Sequence, residues 1–121
     1  EELMKRDMDL IRTLLLKIES FPNFPAGHSV SIEGYSKDEI NFHLYLLGDA
    51  GLIHSQFEDG SFDSRYISSL TWKGCEFLDA ARDNKRWDQA KKVVGKIGAN
   101  VFEIIMKVLI ESAISQITPL R

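Results

Sequence analysis

The segment from Ser36 to Ile53 constrains the fold most, because it fixes where a helix starts, where it stops and which element comes next. Ser36 and Glu39 form an S-x-x-E capping box, in which each side chain satisfies a backbone N–H that has no partner inside the helix. Ile40, Leu44 and Leu47 then recur at three- and four-residue steps and define one apolar face, with His43 beside them. Gly51 stops the helix, since glycine enters the left-handed conformation without steric cost. Apolar residues suited to a strand begin immediately afterwards, at Leu52. The pattern therefore predicts a helix over 36–50 that runs straight into a β-hairpin.

The hairpin strands are expected at Leu52–Phe57 and Tyr66–Thr71, with Asp59-Gly60 as the turn signal. Phe62 to Arg65 lengthen the loop beyond a minimal turn. Upstream, Met4, Met8, Ile11, Leu14, Leu15 and Ile18 form an apolar stripe that predicts a helix over Met4–Ser20. Asp7 and Asp9 suit its positive N-terminal end. Pro22 and Pro25 enforce a loop, and the alternation Ser29-Val30-Ser31-Ile32 suits a short strand. Downstream, Thr71 can cap a third helix over Trp72–Arg82 that would bury Trp72, Cys75 and Leu78. Trp87, Ala90, Val94 and Ile97 mark a fourth, which Gly95 and Gly98 weaken at its end. Asn100 can cap a last helix to Ile117, before Pro119.

Several stretches carry a family resemblance. They are Met4-Lys5-Arg6-Asp7-Met8-Asp9-Leu10-Ile11-Arg12, Gly34-Tyr35-Ser36, His43-Leu44-Tyr45-Leu46-Leu47, Ala50-Gly51-Leu52-Ile53, Leu70-Thr71-Trp72-Lys73-Gly74, and Phe77-Leu78-Asp79 with the later Trp87. In order and spacing, from Met4 to about Lys96, the chain resembles a family of small bacterial and prophage proteins of unknown function. Its middle is similar to winged helix-turn-helix regulators, in which a recognition helix closes on such a turn and enters the wing hairpin. The resemblance implies an α+β winged-helix-like domain over residues 4–82, with a two-helix extension over 83–121, and suggests nucleic-acid binding. One departure stands out. Between Ile32 and Ser36 there is room only for Glu33-Gly34-Tyr35, so the support helix of a regular helix-turn-helix is missing or displaced.

Charge tests the nucleic-acid expectation. The whole chain carries −3, which argues mildly against indiscriminate coating of nucleic acid. The helix over 36–50 has Lys37 against Asp38, Glu39 and Asp49, a balance of −2. The wing over 58–65 has Arg65 against Glu58, Asp59 and Asp63, also −2. Both elements would repel phosphate. From Arg82 to Lys96 the balance is +4: Arg82, Lys85, Arg86, Lys91, Lys92 and Lys96 oppose Asp83 and Asp88. That run is either a solvated helix face or a surface that contacts a nucleic-acid backbone. Duplex DNA would meet Lys37, Asn41 and Tyr45, about one turn apart, together with Arg82, Lys85, Arg86, Lys91 and Lys92. Asn41 can read an adenine edge and Lys37 a guanine or a phosphate. Asn41 is equally an ordinary surface residue, and Tyr45 and Phe42 equally suit packing against a neighbouring element.

The stretch over 100–117 is apolar nearly all round. Glu103, Lys107, Glu111 and Ser115, four apart, leave one narrow polar stripe, whereas a surface helix needs an apolar face of only about 100°. Phe102, Ile105, Met106, Leu109, Ile110 and Ile114 are the expected oligomerisation residues, and a homodimer or larger assembly is the expectation. Burial within one copy, or docking on another protein or a membrane surface, are the alternatives.

Catalytic and metal chemistry find no foothold in the motifs. His28, His43 and His54 are not spaced as ligands, and there is no C-x-x-C, H-E-x-x-H, G-x-S-x-G or phosphate-cradling glycine loop. His43 suits helix packing, and Cys75 an inert buried thiol. One cysteine excludes a disulfide within the chain and fits a reducing, cytoplasmic setting. No stretch has the roughly 18 uncharged apolar residues of a membrane span, and the first residues lack the apolar core of a signal peptide. Met4 reads as the original start. The expectation is a non-enzymatic DNA-binding or regulatory protein without cofactor. The alternative is a protein-interaction module that uses a degenerate, acidic winged helix and the apolar last helix, as an adaptor or an inhibitor in phage–host conflict.

Overall fold

The computed structural model describes residues 5–22, 29–55, 67–97 and 107. Its elements in chain order are α1 (Met8–Glu19), α2 (Lys37–Asp49), β1 (Ile53–Ser55), β2 (Ile67–Leu70), α3 (Trp72–Ala81) and α4 (Asn84–Ile97). The chain divides into two compact units, Glu1–Cys75 and Glu76–Arg121.

In the first unit, Asp7 sets where α1 begins. Its Oδ1 accepts from the N–H groups of Asp9 (3.0 Å) and Leu10 (3.2 Å), so the helix starts at Met8 rather than at Met4. Leu10, Ile11, Leu14, Leu15 and Ile18 are buried, so the expected stripe holds from Ile11 to Ile18 with Leu10 added to it; Met8 is half-buried and Met4 lies outside the described residues. α2 begins with the expected capping box: Glu39 N–H donates to Ser36 Oγ (3.1 Å) and Ser36 N–H to Glu39 Oε1 (2.9 Å). It ends in a Schellman arrangement. Gly51 adopts φ +77°, its N–H donates to Gly48 O (3.0 Å), and Leu52 N–H donates to Leu47 O (2.9 Å).

The sheet is a two-stranded antiparallel ladder, with Ile53 opposite Leu70, His54 opposite Ser69 and Ser55 opposite Ile67, irregular between His54 and Ser55. Leu52 and Thr71, expected at the strand ends, lie outside the ladder, and 56–66 lie outside the described residues. α1 packs on β2 and α2, and α2 packs on β1. Leu14, Leu15, Leu44, Leu47, Leu52 and Ile67 are fully buried.

Two expectations fail here. Ser29–Ile32 joins no ladder. Val30 is buried, but the chain turns at once, with Tyr35 N–H on Ile32 O (3.2 Å) and Gly34 at φ +92°. In α3, the inward stripe is Gly74, Phe77, Leu78 and Ala81 rather than one including Trp72 and Cys75. Trp72 is 82% exposed and Cys75 is exposed. The reason is steric: Gly74 lies against the Leu52 carbonyl, so only a residue without a side chain fits there. With residue 74 facing inward, residues 72 and 75 point elsewhere.

The start of α3 is fastened to the end of α2 by Thr71. Its hydroxyl donates to Gly51 O (2.6 Å) and accepts from Gly74 N–H (3.0 Å), while Thr71 N–H donates to Leu52 O (3.0 Å). The expected Thr71 cap is thus present and also bridges two elements. Thr71→Val keeps the shape and removes both hydroxyl bonds. It is expected to cost about 1–2 kcal/mol, read as a lower urea midpoint at unchanged m.

In the second unit, Phe77, Leu78, Ala81, Trp87 and Ala90 are buried. The Phe77 and Trp87 rings meet edge to face at 6.2 Å. Asp83 caps α4, accepting from Arg86 N–H at 3.0 Å; that bond, reinforced by the Arg86 and Lys85 charges, lowers its pKa. The expected stripe of α4 holds at Trp87 and Ala90. The expected last helix over 100–117 lies outside the described residues, apart from Lys107, which is helical and exposed.

Candidate interaction surface

A polar junction joins α1 to α2. Among the described residues His43 is the polar side chain in the core, 2% exposed. Its Nε2 accepts from Asp7 N–H (2.8 Å), which requires that nitrogen to be unprotonated; Nδ1–H then donates to Glu39 O (2.8 Å). Both ring nitrogens are thereby committed to backbone, which leaves none for a metal ion or a proton transfer. His43 is the helix-packing histidine that its position beside the apolar face suggests. Phe42 meets its ring edge-on at 5.4 Å.

Tyr35 adds to the same junction, its hydroxyl donating to Asp7 Oδ2 at 3.3 Å. Burial, then the Asp7 charge and hydrogen bond, raise the Tyr35 pKa above the usual phenol value. A raised pKa means that the stabilisation is complete below about pH 10, the unfolded value, and is lost as pH rises through the folded one. Wild type is expected to lose more stability than Tyr35→Phe between about pH 9 and 11, as read by chemical denaturation at each pH.

The expected DNA-contacting residues of α2 share one face. Lys37 is exposed, Asn41 half-buried and Tyr45 51% exposed. Asn41 Oδ1 is buried with no hydrogen-bond partner. The carboxylates Asp38 and Asp49 are exposed on the same helix. In the second unit Arg82, Lys85 and Lys92 are exposed and Arg86 and Lys91 half-buried. Arg82 pairs with Asp79 (2.9 Å) and Lys91 with Asp88 (3.7 Å). The basic run is therefore partly neutralised by its own helices. Phe102, Ile105, Met106, Leu109, Ile110 and Ile114 lie outside the described residues.

Trp72 is the surface residue that sequence reasoning missed. It is the first residue of α3, beside the Thr71 bridge, with Cys75 one turn further on. The signal was available in the run Gly74, Phe77, Leu78, Ala81, whose three- and four-residue spacing makes a better stripe than one containing residue 72. Lys73 Nζ reaches back to Ala50 O at 3.3 Å, so Trp72 stands near the C-terminal end of α2. Among the described residues no three His, Cys, Asp or Glu side chains gather as a metal site, and no helix is long and apolar enough to cross a membrane.

A mixed, mostly helical fold with a small antiparallel sheet and an exposed aromatic surface defines the class. The chain belongs to the hypothetical-protein family DUF2513, whose profile matches residues 5–100. It is 32% identical over 122 residues to an uncharacterized protein of Haemophilus influenzae, covering 93% of this chain and 98% of that one. No solved structure matches it. The motifs led to the expectation of a family of unknown function, and the matches show one; they show neither a winged helix nor a prophage origin.

Proposed function

We propose that this chain is a non-enzymatic protein-interaction module whose contact surface is the start of α3 together with the exposed face of α2. The observation that carries the proposal is Trp72, 82% exposed on a helix whose buried stripe does not need it. Tryptophan is enriched among the residues that dominate protein interfaces, and a solvated one gains nothing for the fold. The acidic balance of α2 favours a protein partner over a phosphate backbone. Immobilised wild type should retain a host protein after nuclease treatment, and Trp72→Ala should lose at least about tenfold of it, the effect of a modest interface anchor. Equal retention by the two would refute the proposal.

A second reading has support of its own. The order α2, glycine stop, β1, β2, α3 is that of a recognition helix, wing and succeeding helix, and Lys37, Asn41 and Tyr45 share one face of α2. As a DNA-binding regulator of prophage or bacterial type, with a degenerate helix-turn-helix, the chain would shift duplex DNA at low salt and micromolar protein. Lys37→Glu would weaken that shift.

A further inference from the structure

The surroundings of Trp72 bear on the chemistry of its partner, given the interaction reading proposed for it. Asp49 is exposed and is the last residue of α2, at the helix end that already carries the negative pole of the backbone dipole. The last turn of α2 contains no basic residue. Among the described residues Lys73 reaches this end, its ammonium on the Ala50 carbonyl at 3.3 Å. Thr71, next to Trp72 in the chain, is bonded to Gly51 O at 2.6 Å, so the first residue of α3 and the negative end of α2 are held as neighbours. An exposed indole on the residue that opens α3 and an exposed carboxylate on the residue that closes α2 suit a planar cation. Guanidinium stacks on tryptophan and hydrogen-bonds carboxylate at the same time, whereas ammonium offers only a point charge.

We infer that the start of α3 and the C-terminal end of α2 form a docking site for an arginine-bearing segment of a protein partner, with Trp72 as the stacking platform and Asp49 as the counter-charge.

The two tryptophans make this measurable on the intact protein, because Trp87 is 1% exposed and Trp72 is 82% exposed. Emission accessible to acrylamide therefore reports Trp72. The probes are a nine-arginine peptide and a nine-lysine peptide of equal charge, titrated at low salt. Nonspecific attraction to an acidic protein treats the two alike. The expected result is that the arginine peptide protects Trp72 from quenching and binds about fivefold more tightly than the lysine peptide. Trp72→Phe should retain part of that preference and Trp72→Ala none, while Asp49→Asn should weaken the arginine peptide about threefold.

Equal binding of both peptides, binding of neither, or a preference that survives Trp72→Ala overturns the inference. So does protection of Trp72 that rises with protein concentration alone, which would make a second copy the occupant. Failure here with a Trp72-dependent host partner still retained would leave the interaction reading standing. Success here with no host partner retained would do the reverse.

Discussion

Replacing Gly74 with alanine is expected to destabilise the protein by about 3 kcal/mol, the upper end for overpacking. Helix propensity alone predicts the opposite, a gain of about 1 kcal/mol for glycine to alanine inside a helix. The sign reverses because the added Cβ would run into the Leu52 carbonyl, with the Leu52 carbonyl carbon at 3.0 Å and its Cα at 3.4 Å. These are backbone atoms pinned by Leu52 N–H on Leu47 O and by Thr71 N–H on Leu52 O, so they cannot swing aside as a side-chain end would. Urea denaturation reads the effect, with a drop in melting temperature of roughly 10 °C. A stability gain would show that α3 does not approach the end of α2 this closely.

The second large effect belongs to His43. His43→Phe keeps an aromatic ring of similar size but removes the acceptor for Asp7 N–H and the donor to Glu39 O. A partly buried amide left without an acceptor costs about 2 kcal/mol, and His43→Ala adds a cavity for roughly 3–4 kcal/mol in all. The local readout is hydrogen exchange at the Asp7 amide. Protection should fall sharply in His43→Phe, while amides in the middle of α2 change only with global stability. Unchanged protection at Asp7 would mean that Nε2 is not its acceptor.

Much of the fold is legible in the sequence because local chemistry decides it. The capping box at Ser36 and Glu39, the Gly51 stop and the Thr71 cap are short-range rules, and each sits where its residues place it. The failures have one physical cause: tertiary contact chooses between local options. Ser29–Ile32 alternates like a strand, yet it pairs with neither described strand, and the chain turns at Gly34 directly after it. Trp72 reads as buried because it is large and apolar, but the close approach at Gly74 sets the rotation of α3 and turns residues 72 and 75 outward. His43 is legible as a packing residue; its bond to Asp7, 36 positions away, is not. Two motifs behind the family resemblance, Ala50-Gly51-Leu52-Ile53 and Leu70-Thr71-Trp72-Lys73-Gly74, meet at the Thr71 bridge. Asp7, Tyr35 and His43, from three others, meet at the polar junction. The resemblance thus rests largely on residues that join elements, which is why it conveys a fold more readily than a function.

The proposed protein contact at Trp72 has a direct test in the molecule's own thiol. Cys75 is the single cysteine and is exposed one helical turn from Trp72. A benzophenone maleimide on that thiol places a photo-crosslinker beside the proposed contact without altering Trp72. Irradiation in native-host extract should give a discrete protein adduct that survives nuclease treatment and is lost when Trp72→Ala carries the same label. Adducts that disappear with nuclease, or that form equally with Trp72→Ala, would contradict a protein partner docked on Trp72.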